Sequence, residues 1–185
     1  MKVTVIGTGY VGLVSGVCLA HRGHQVTCVD LNPRIVERLK AGELTIHEAG
    51  LPALFAEARP RLSFTSDLTE GCRGSSVILI CVGTPFIGDR IQLDQVAAAA
   101  EGVGRALAAL NENHLFRVVT LKSTAVPGTT EELVQTKLAK HFPIEKFCVA
   151  MNPEFLREGV AVTDFMEPDR VVIGCSDPRG AALLR

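Results

Sequence analysis

Val3-Thr4-Val5-Ile6-Gly7-Thr8-Gly9-Tyr10-Val11-Gly12 is a β-branched run, a glycine turn and the start of an apolar helix, joined without a gap. A second apolar run, residues 25–29, ends on Asp30, 18 residues beyond Gly12. Strand, glycine turn, helix, strand and acid is the layout with which a βαβ unit binds the ADP half of a dinucleotide. In that layout Gly7 makes the tight turn and Gly9 lets the backbone approach the pyrophosphate. Gly12 lets the helix pack close to its strand, and Tyr10 and Val11 belong to the helix start, whose free N–H groups and dipole favour phosphate. Asp30 falls where an acid meets the ribose hydroxyls. A carboxylate there repels a 2′-phosphate, so the expected cofactor is NAD rather than NADP. The glycine pattern alone is weak, since a structural turn or an FAD-type site shares it; its place between strand and helix, with the acid following, gives it weight.

Outward from this unit, strand and helix signals alternate to the end of the chain. Residues 11–22 carry apolar positions at helical spacing. Asn32-Pro33 is a cap followed by a first-turn proline, and Asp177-Pro178 repeats it. Further helices are expected over 51–57, over 94–110 and over 129–141, the last capped by Thr129 or Thr130. Strands are expected over 62–64, 77–82, 117–121, 147–151 and 170–174. The segment 85–93 reads as the most polar loop. The expectation is an α/β fold, a doubly wound parallel sheet forming one domain over residues 1–185.

Composition agrees. Apolar residues make up 47% of the chain, which suits a sheet buried on both faces. No apolar run approaches the ~20 residues of a membrane span. A net charge of −1 gives no basic field for nucleic acid or anionic membrane. Met1 lies almost on the first strand, which leaves no room for a secretory signal and suggests a cytoplasmic protein. The six cysteines show no C-x-x-C spacing and read as reduced, largely core residues, so no metal site is expected. His47, His114 and His141 show no metal-like grouping.

In open sheets of this kind, ligands lie beyond the carboxyl ends of the strands. That rule selects Val82-Gly83-Thr84-Pro85, Lys122-Ser123-Thr124 and Asn152-Pro153-Glu154, each directly after a strand. Each also reads as ordinary turn chemistry. Three polar turns on the edge that carries the glycine loop favour a site.

These segments, with Ile46-His47-Glu48-Ala49-Gly50-Leu51, Asn152-Pro153-Glu154-Phe155-Leu156-Arg157-Glu158-Gly159 and Pro168-Asp169-Arg170-Val171-Val172-Ile173-Gly174, resemble the N-terminal NAD-binding domain of the nucleotide-sugar 6-dehydrogenases. This is the UDP-glucose/GDP-mannose dehydrogenase family, and the resemblance covers essentially the whole chain. It implies a Rossmann-type fold and oxidation of the C6 alcohol of a nucleotide sugar to a carboxylate. Two NAD are used, and a thiohemiacetal and a thioester form on a cysteine. It implies that Gly7, Gly9, Tyr10, Val11, Gly12, Asp30, Val82, Gly83, Thr84, Pro85, Ser123, Thr124 and Glu158 serve the cofactor. Glu154, Phe155, Leu156, Arg157 and Glu158 would line the sugar-nucleotide side. Thr124, Glu154 and Glu158 would be catalytic, Thr124 and Glu154 by positioning the hydrolytic water.

The phrase Phe155-Leu156-Arg157-Glu158-Gly159 leans toward UDP-glucose over UDP-N-acetylmannosamine or GDP-mannose. Read without the resemblance, Glu154 and Glu158 are more readily a solvated pair four apart on a helix start, and Arg157 is a substrate contact, a subunit contact or a surface charge. One departure is Ile35, where the family usually has Lys or Arg five residues after the ribose-binding acid. The family's nucleophilic cysteine lies in a Gly-Ser-Cys-Phe-Pro-Lys-Asp-like segment with no counterpart here. The chain is therefore expected to be the cofactor half of a longer, homodimeric enzyme and inactive alone. The competing readings are a non-catalytic redox-sensing NAD module and a 3-hydroxyacid or 6-phosphogluconate-type dehydrogenase.

Overall fold

The structure is a computed structural model and describes residues 1–112 and 114–185. In chain order its elements are β1 (Lys2–Ile6), α1 (Tyr10–His21), β2 (Gln25–Val29), α2 (Pro33–Lys40), α3 (Leu51–Ala58), β3 (Leu62–Thr65), α4 (Leu68–Cys72) and β4 (Val77–Ile80). There follow β5 (Phe86–Ile87), β6 (Arg90–Ile91), α5 (Asp94–Leu110), β7 (Arg117–Leu121), α6 (Thr136–Ala139), β8 (Phe147–Met151), α7 (Ala161–Met166) and α8 (Pro178–Leu184). Six strands form one parallel sheet in the order β3-β2-β1-β4-β7-β8. The order reverses direction between β1 and β4, which is where such sheets open a crevice.

Side chains alternate across the sheet, which explains the apolar strands. Val77 and Leu79 face one layer with Leu13, Val17, Leu51 and Phe55. Ile78 and Ile80 face the other with Val96, Val103, Leu107 and Leu138. α1 is apolar nearly all round because it lies between the sheet and α3, with Leu13, Val14 and Val17 fully buried. Asn32 caps α2 by accepting from the Arg34 N–H, and Asp177 caps α8 by accepting from the Arg179 N–H, as the two cap-then-proline signals require. Among the described residues no helix is long and apolar enough to cross a membrane.

Four local expectations are corrected. Residues 170–174 are not a strand; they touch the sheet only through an antiparallel bridge between Met151 and Gly174. Val171 and Val172 remain 63% and 44% exposed, so their β-branched composition finds no layer to pack against. The polar loop 85–93 contains a hairpin of β5 and β6. Residues 129–135 are π-helical before the chain tightens into α6, and Gly128 rather than a threonine precedes the first turn. The Thr129 hydroxyl instead donates back to the Val126 carbonyl at 2.7 Å. Residues 152–157 form no helix, so Glu154 and Glu158 do not share a helical face.

Candidate cofactor and substrate crevice

The glycine turn is built by contacts that only glycine permits. Gly7 sits at φ +91°, and a Cβ there would meet the Cys81 carbonyl at 2.8 Å. A Cβ on Gly12 would lie 1.9 Å from the Gly7 carbonyl oxygen, so helix and turn are locked together. Gly9 differs: a Cβ there meets nothing within 4 Å. It borders open space at the N-terminus of α1, where no side chain caps the helix. The first intrahelical bond runs from the Leu13 N–H to the Gly9 carbonyl, which leaves the N–H groups of Tyr10, Val11 and Gly12 facing that space. An uncapped helix start beside a gap that a methyl group would enter fits a phosphate.

Asp30 anchors this turn. Its Oδ2 accepts from the Thr8 N–H at 2.9 Å and the Thr8 hydroxyl at 2.6 Å, and its Oδ1 accepts from the Asn32 N–H. A carboxylate has about four acceptor positions, so one remains for a ribose hydroxyl. Ile35 packs partly buried against the core, and the neighbouring Arg34 is exposed. These features fit the ADP half of NAD.

The turns after β4 and β7 are joined to each other. The Ser123 hydroxyl, 6% exposed, donates to the Val82 carbonyl at 2.6 Å. Ser123 thus shapes the Val82-Gly83-Thr84-Pro85 turn from below. Gly83, Pro85 and Thr124 are exposed on the crevice edge, and Thr84 is half-buried.

Beyond β7 and β8 lies a pocket of about 490 Å³ lined by Lys122, Asn152, Glu154, Phe155, Leu156 and Arg157 on one side and by residues of the segment 163–171 on the other. Lys122 is 6% exposed and its ammonium donates to Asn152 Oδ1 at 3.2 Å, 5.8 Å from the centre of the Phe165 ring. Burial pushes its pKa below the usual lysine value, and Glu154 is among the groups that pull it back up. The Glu154 carboxylate accepts from the Leu156 N–H at 2.8 Å, which curls the loop and holds the acid at the wall. Phe155 stays 49% exposed under the Arg170 guanidinium. Arg157 is committed to Asp164 by a backbone bond and two side-chain bonds. Glu158 is exposed at the loop tip.

Reading the sequence as a set of post-strand turns missed two residues of this region. Lys122 stands in the post-strand segment Lys122-Ser123-Thr124 but has no role of its own in that reading. Glu48 is 3% exposed, yet it sits outside any element. Its carboxylate accepts from the Tyr10 hydroxyl and from the N–H groups of Gly159 (2.9 Å) and Ala161 (3.0 Å). Burial alone would push its pKa up, but these hydrogen bonds and one from Val162 outweigh it and hold the carboxyl below the usual range. Burial, then the hydrogen bond to Glu48, pushes the Tyr10 phenol up to about 12. The nearest sequence signal was Glu48 within the segment 46–51 that carries part of the resemblance.

Comparison with known proteins agrees with this geometry. The family model described as the UDP-glucose/GDP-mannose dehydrogenase family, NAD binding domain, matches residues 1–185. The chain belongs to that family. It is the NAD-binding domain, with a Rossmann-type fold, as the glycine turn and Asp30 indicate. It is 45% identical to the UDP-glucose 6-dehydrogenase of Rhizobium meliloti over 98% of this chain and 41% of that protein. Among solved structures, a UDP-glucose dehydrogenase from Pyrobaculum islandicum is similar at 45% identity and TM-score 0.93, covering 99% of this chain and 42% of the other. A GDP-mannose dehydrogenase from Pseudomonas aeruginosa is similar at 34% identity and TM-score 0.94, covering 100% of this chain and 43% of the other. The chain thus spans about two fifths of the length of these relatives.

Proposed function

We propose that this domain is the cofactor half of a UDP-glucose 6-dehydrogenase that converts the C6 alcohol of the sugar to a carboxylate. The observation that carries the reading is the hydrogen-bonded link between the glycine turn and the loop that lines the 490 Å³ pocket: Glu48 accepts from the Tyr10 hydroxyl and from the Gly159 N–H, and the Tyr10 hydroxyl lies 3.5 Å from the carbonyl oxygen of Arg157, a lining residue. A sugar nucleotide in that pocket and a dinucleotide on the turn would be held by segments that Glu48 ties together. The 45% identity to UDP-glucose enzymes, against 34% to a GDP-mannose enzyme, supports UDP-glucose.

The helix start at Tyr10, Val11 and Gly12 holds the pyrophosphate, with Gly9 admitting its close approach. Asp30 takes the ribose hydroxyls. Val82, Gly83, Thr84, Pro85, Thr124 and Glu158 flank the nicotinamide side, and Ser123 sets the turn they stand on. When bound, NAD accepts the hydride released from the sugar carbon.

Glu154, Phe155, Leu156 and Arg157 line the sugar-nucleotide side, Arg157 fixed there by Asp164. Hydrolysis of an acyl intermediate needs a water oriented by a hydroxyl and a carboxylate, and Thr124 and Glu154 supply these on adjoining strand ends. Among the described residues no cysteine lines the pocket. Cys18, Cys28, Cys72 and Cys81 are buried with thiols pushed up to about 12, chiefly by burial. The nucleophile is therefore assigned to a further domain of the same polypeptide, and the working enzyme to a cytoplasmic homodimer.

The test is NADH formation. The polypeptide carrying this domain together with the remaining length of its relatives is expected to form two NADH per UDP-glucose, faster than with GDP-mannose or UDP-N-acetylmannosamine. The 185-residue chain alone is expected to bind NAD and form none. Preference for another sugar nucleotide overturns the substrate, and turnover by the chain alone overturns the assignment of the nucleophile. NAD binding with no sugar-nucleotide oxidation by the longer polypeptide would make this a sensing module.

A further inference from the structure

The mechanism above uses none of the six thiols, and two of them form a pair. Cys148 in β8 and Cys175 beyond the Met151–Gly174 bridge bring their sulfurs to 4.0 Å. Both are half-buried, whereas the other four cysteines are buried. The first turn of α8 lies directly over the pair: a Cβ on Gly180 would meet Cys148 Sγ at 2.2 Å and Cys175 Sγ at 3.0 Å. Cys175 Sγ is also 3.3 Å from the carbonyl oxygen of Asp177, the residue that caps α8. The two thiols therefore sit at the junction between the sheet edge, the segment 170–177 and α8.

We propose that Cys148 and Cys175 form an oxidisable dithiol, a modification site that takes a hydroperoxide and closes to an internal disulfide. The inference does not depend on the substrate assigned above. A disulfide needs the sulfurs about 2.05 Å apart, so closure shortens the present 4.0 Å separation by about 2 Å.

The chemistry balances in two steps. The Cys175 sulfur attacks the peroxide oxygen; the O–O bond breaks, a sulfenic acid forms, and the thiol proton leaves with the departing alkoxide as an alcohol, or as water from hydrogen peroxide. The Cys148 sulfur then attacks the Cys175 sulfur. An S–S bond forms, the S–O bond breaks, and the Cys148 proton leaves with the hydroxyl as water. Burial and the neighbouring Cys175 push the Cys148 thiol up to about 12, and the Arg179 guanidinium acts in the opposite sense. A high thiol pKa makes Cys148 a poor first attacker, and its 4.0 Å contact with Cys175 is what places it to resolve a sulfenic acid there.

Closure would join β8 covalently to the chain leading into α8. Arg170 and Val171 of that segment line the candidate pocket, so oxidation stiffens one pocket wall.

The experiment treats the folded 185-residue protein with hydrogen peroxide, then blocks free thiols and maps tryptic peptides. The expected product has four free thiols instead of six and a cross-linked pair, peptides 147–157 and 171–179, two hydrogens lighter than the reduced pair. Dithiothreitol reverses it. In Cys148→Ala the sulfenic acid on Cys175 persists and is trapped by dimedone. Three results overturn the proposal: six thiols retained under peroxide, Cys175 driven to sulfinic acid in the unmutated protein while Cys148 stays free, or a cross-link between two chains.

Discussion

The Tyr10 hydroxyl donates to the buried carboxylate of Glu48, and through this contact the first residue of α1 is tied to the loop that carries Glu154 and Glu158. Glu48 also receives the Gly159 and Ala161 N–H groups, so one carboxylate organises both sides of the crevice. Removing an acceptor that leaves buried donors unpaired costs about 1–3 kcal/mol per donor. Glu48→Ala is therefore expected to destabilise the domain by about 2–4 kcal/mol, and Tyr10→Phe by about 1 kcal/mol. Urea unfolding of the two variants measures this. Equal losses would show that the backbone donors find other partners.

The same carboxylate gives a pH signature. Its folded pKa lies below its unfolded value, near 4.3, so the unfolded chain binds the proton more readily. The stabilisation from Glu48 is then complete above the unfolded pKa and falls away as the pH drops through the folded one. The stability difference between the native protein and Glu48→Gln is expected to be constant from pH 7 to about 5.5 and to shrink below about 4.5. A difference that grew on acidification would contradict the hydrogen-bonded, ionised state of Glu48.

Gly9 and Gly12 separate ligand binding from folding. Gly9→Ala adds a methyl group to open space, so stability is expected to stay within about 1 kcal/mol while NAD affinity falls at least about tenfold. Gly12→Ala drives its methyl group into the Gly7 carbonyl and is expected to cost about 3 kcal/mol or more. Calorimetric titration with NAD and thermal melts of both variants distinguish the two effects.

Asp30 holds part of the turn, and the cofactor choice proposed for it is testable. NAD is expected to bind at least about tenfold tighter than NADP, a difference of about 1.4 kcal/mol. Asp30→Asn removes the charge but keeps an acceptor for the Thr8 N–H, so it should narrow that ratio with little loss of stability. Asp30→Ala should also lower the melting temperature, because Thr8, 2% exposed, loses its partner. Parallel NAD and NADP titrations settle the point.

The parts of this domain that local chemistry dictates were legible in the chain. Gly7 and Gly12 announce a turn with specific steric needs, and Asn32-Pro33 and Asp177-Pro178 announce helix starts, because each signal acts over a few residues. Residues 170–174 misled, since Val171-Val172-Ile173 has strand composition but the layer that would cover it is missing. Glu154 and Glu158 looked like helix neighbours; the Glu154 carboxylate instead bonds the Leu156 N–H and turns the chain away from a helix. Glu48 was illegible for another reason. Its donors lie 38, 111 and 113 residues away, and no local pattern reveals that an isolated acid in an irregular segment is buried by partners so distant.

Asn152 accepts the Lys122 ammonium on its oxygen and donates its amide N–H to the Val172 carbonyl at 2.8 Å. The floor of the pocket and the strand of chain that approaches α8 are thus fastened by one side chain. A ligand that draws Lys122 toward itself pulls on both. Asn152 is thus the side chain through which a ligand at Lys122 would reach the segment that leads into α8.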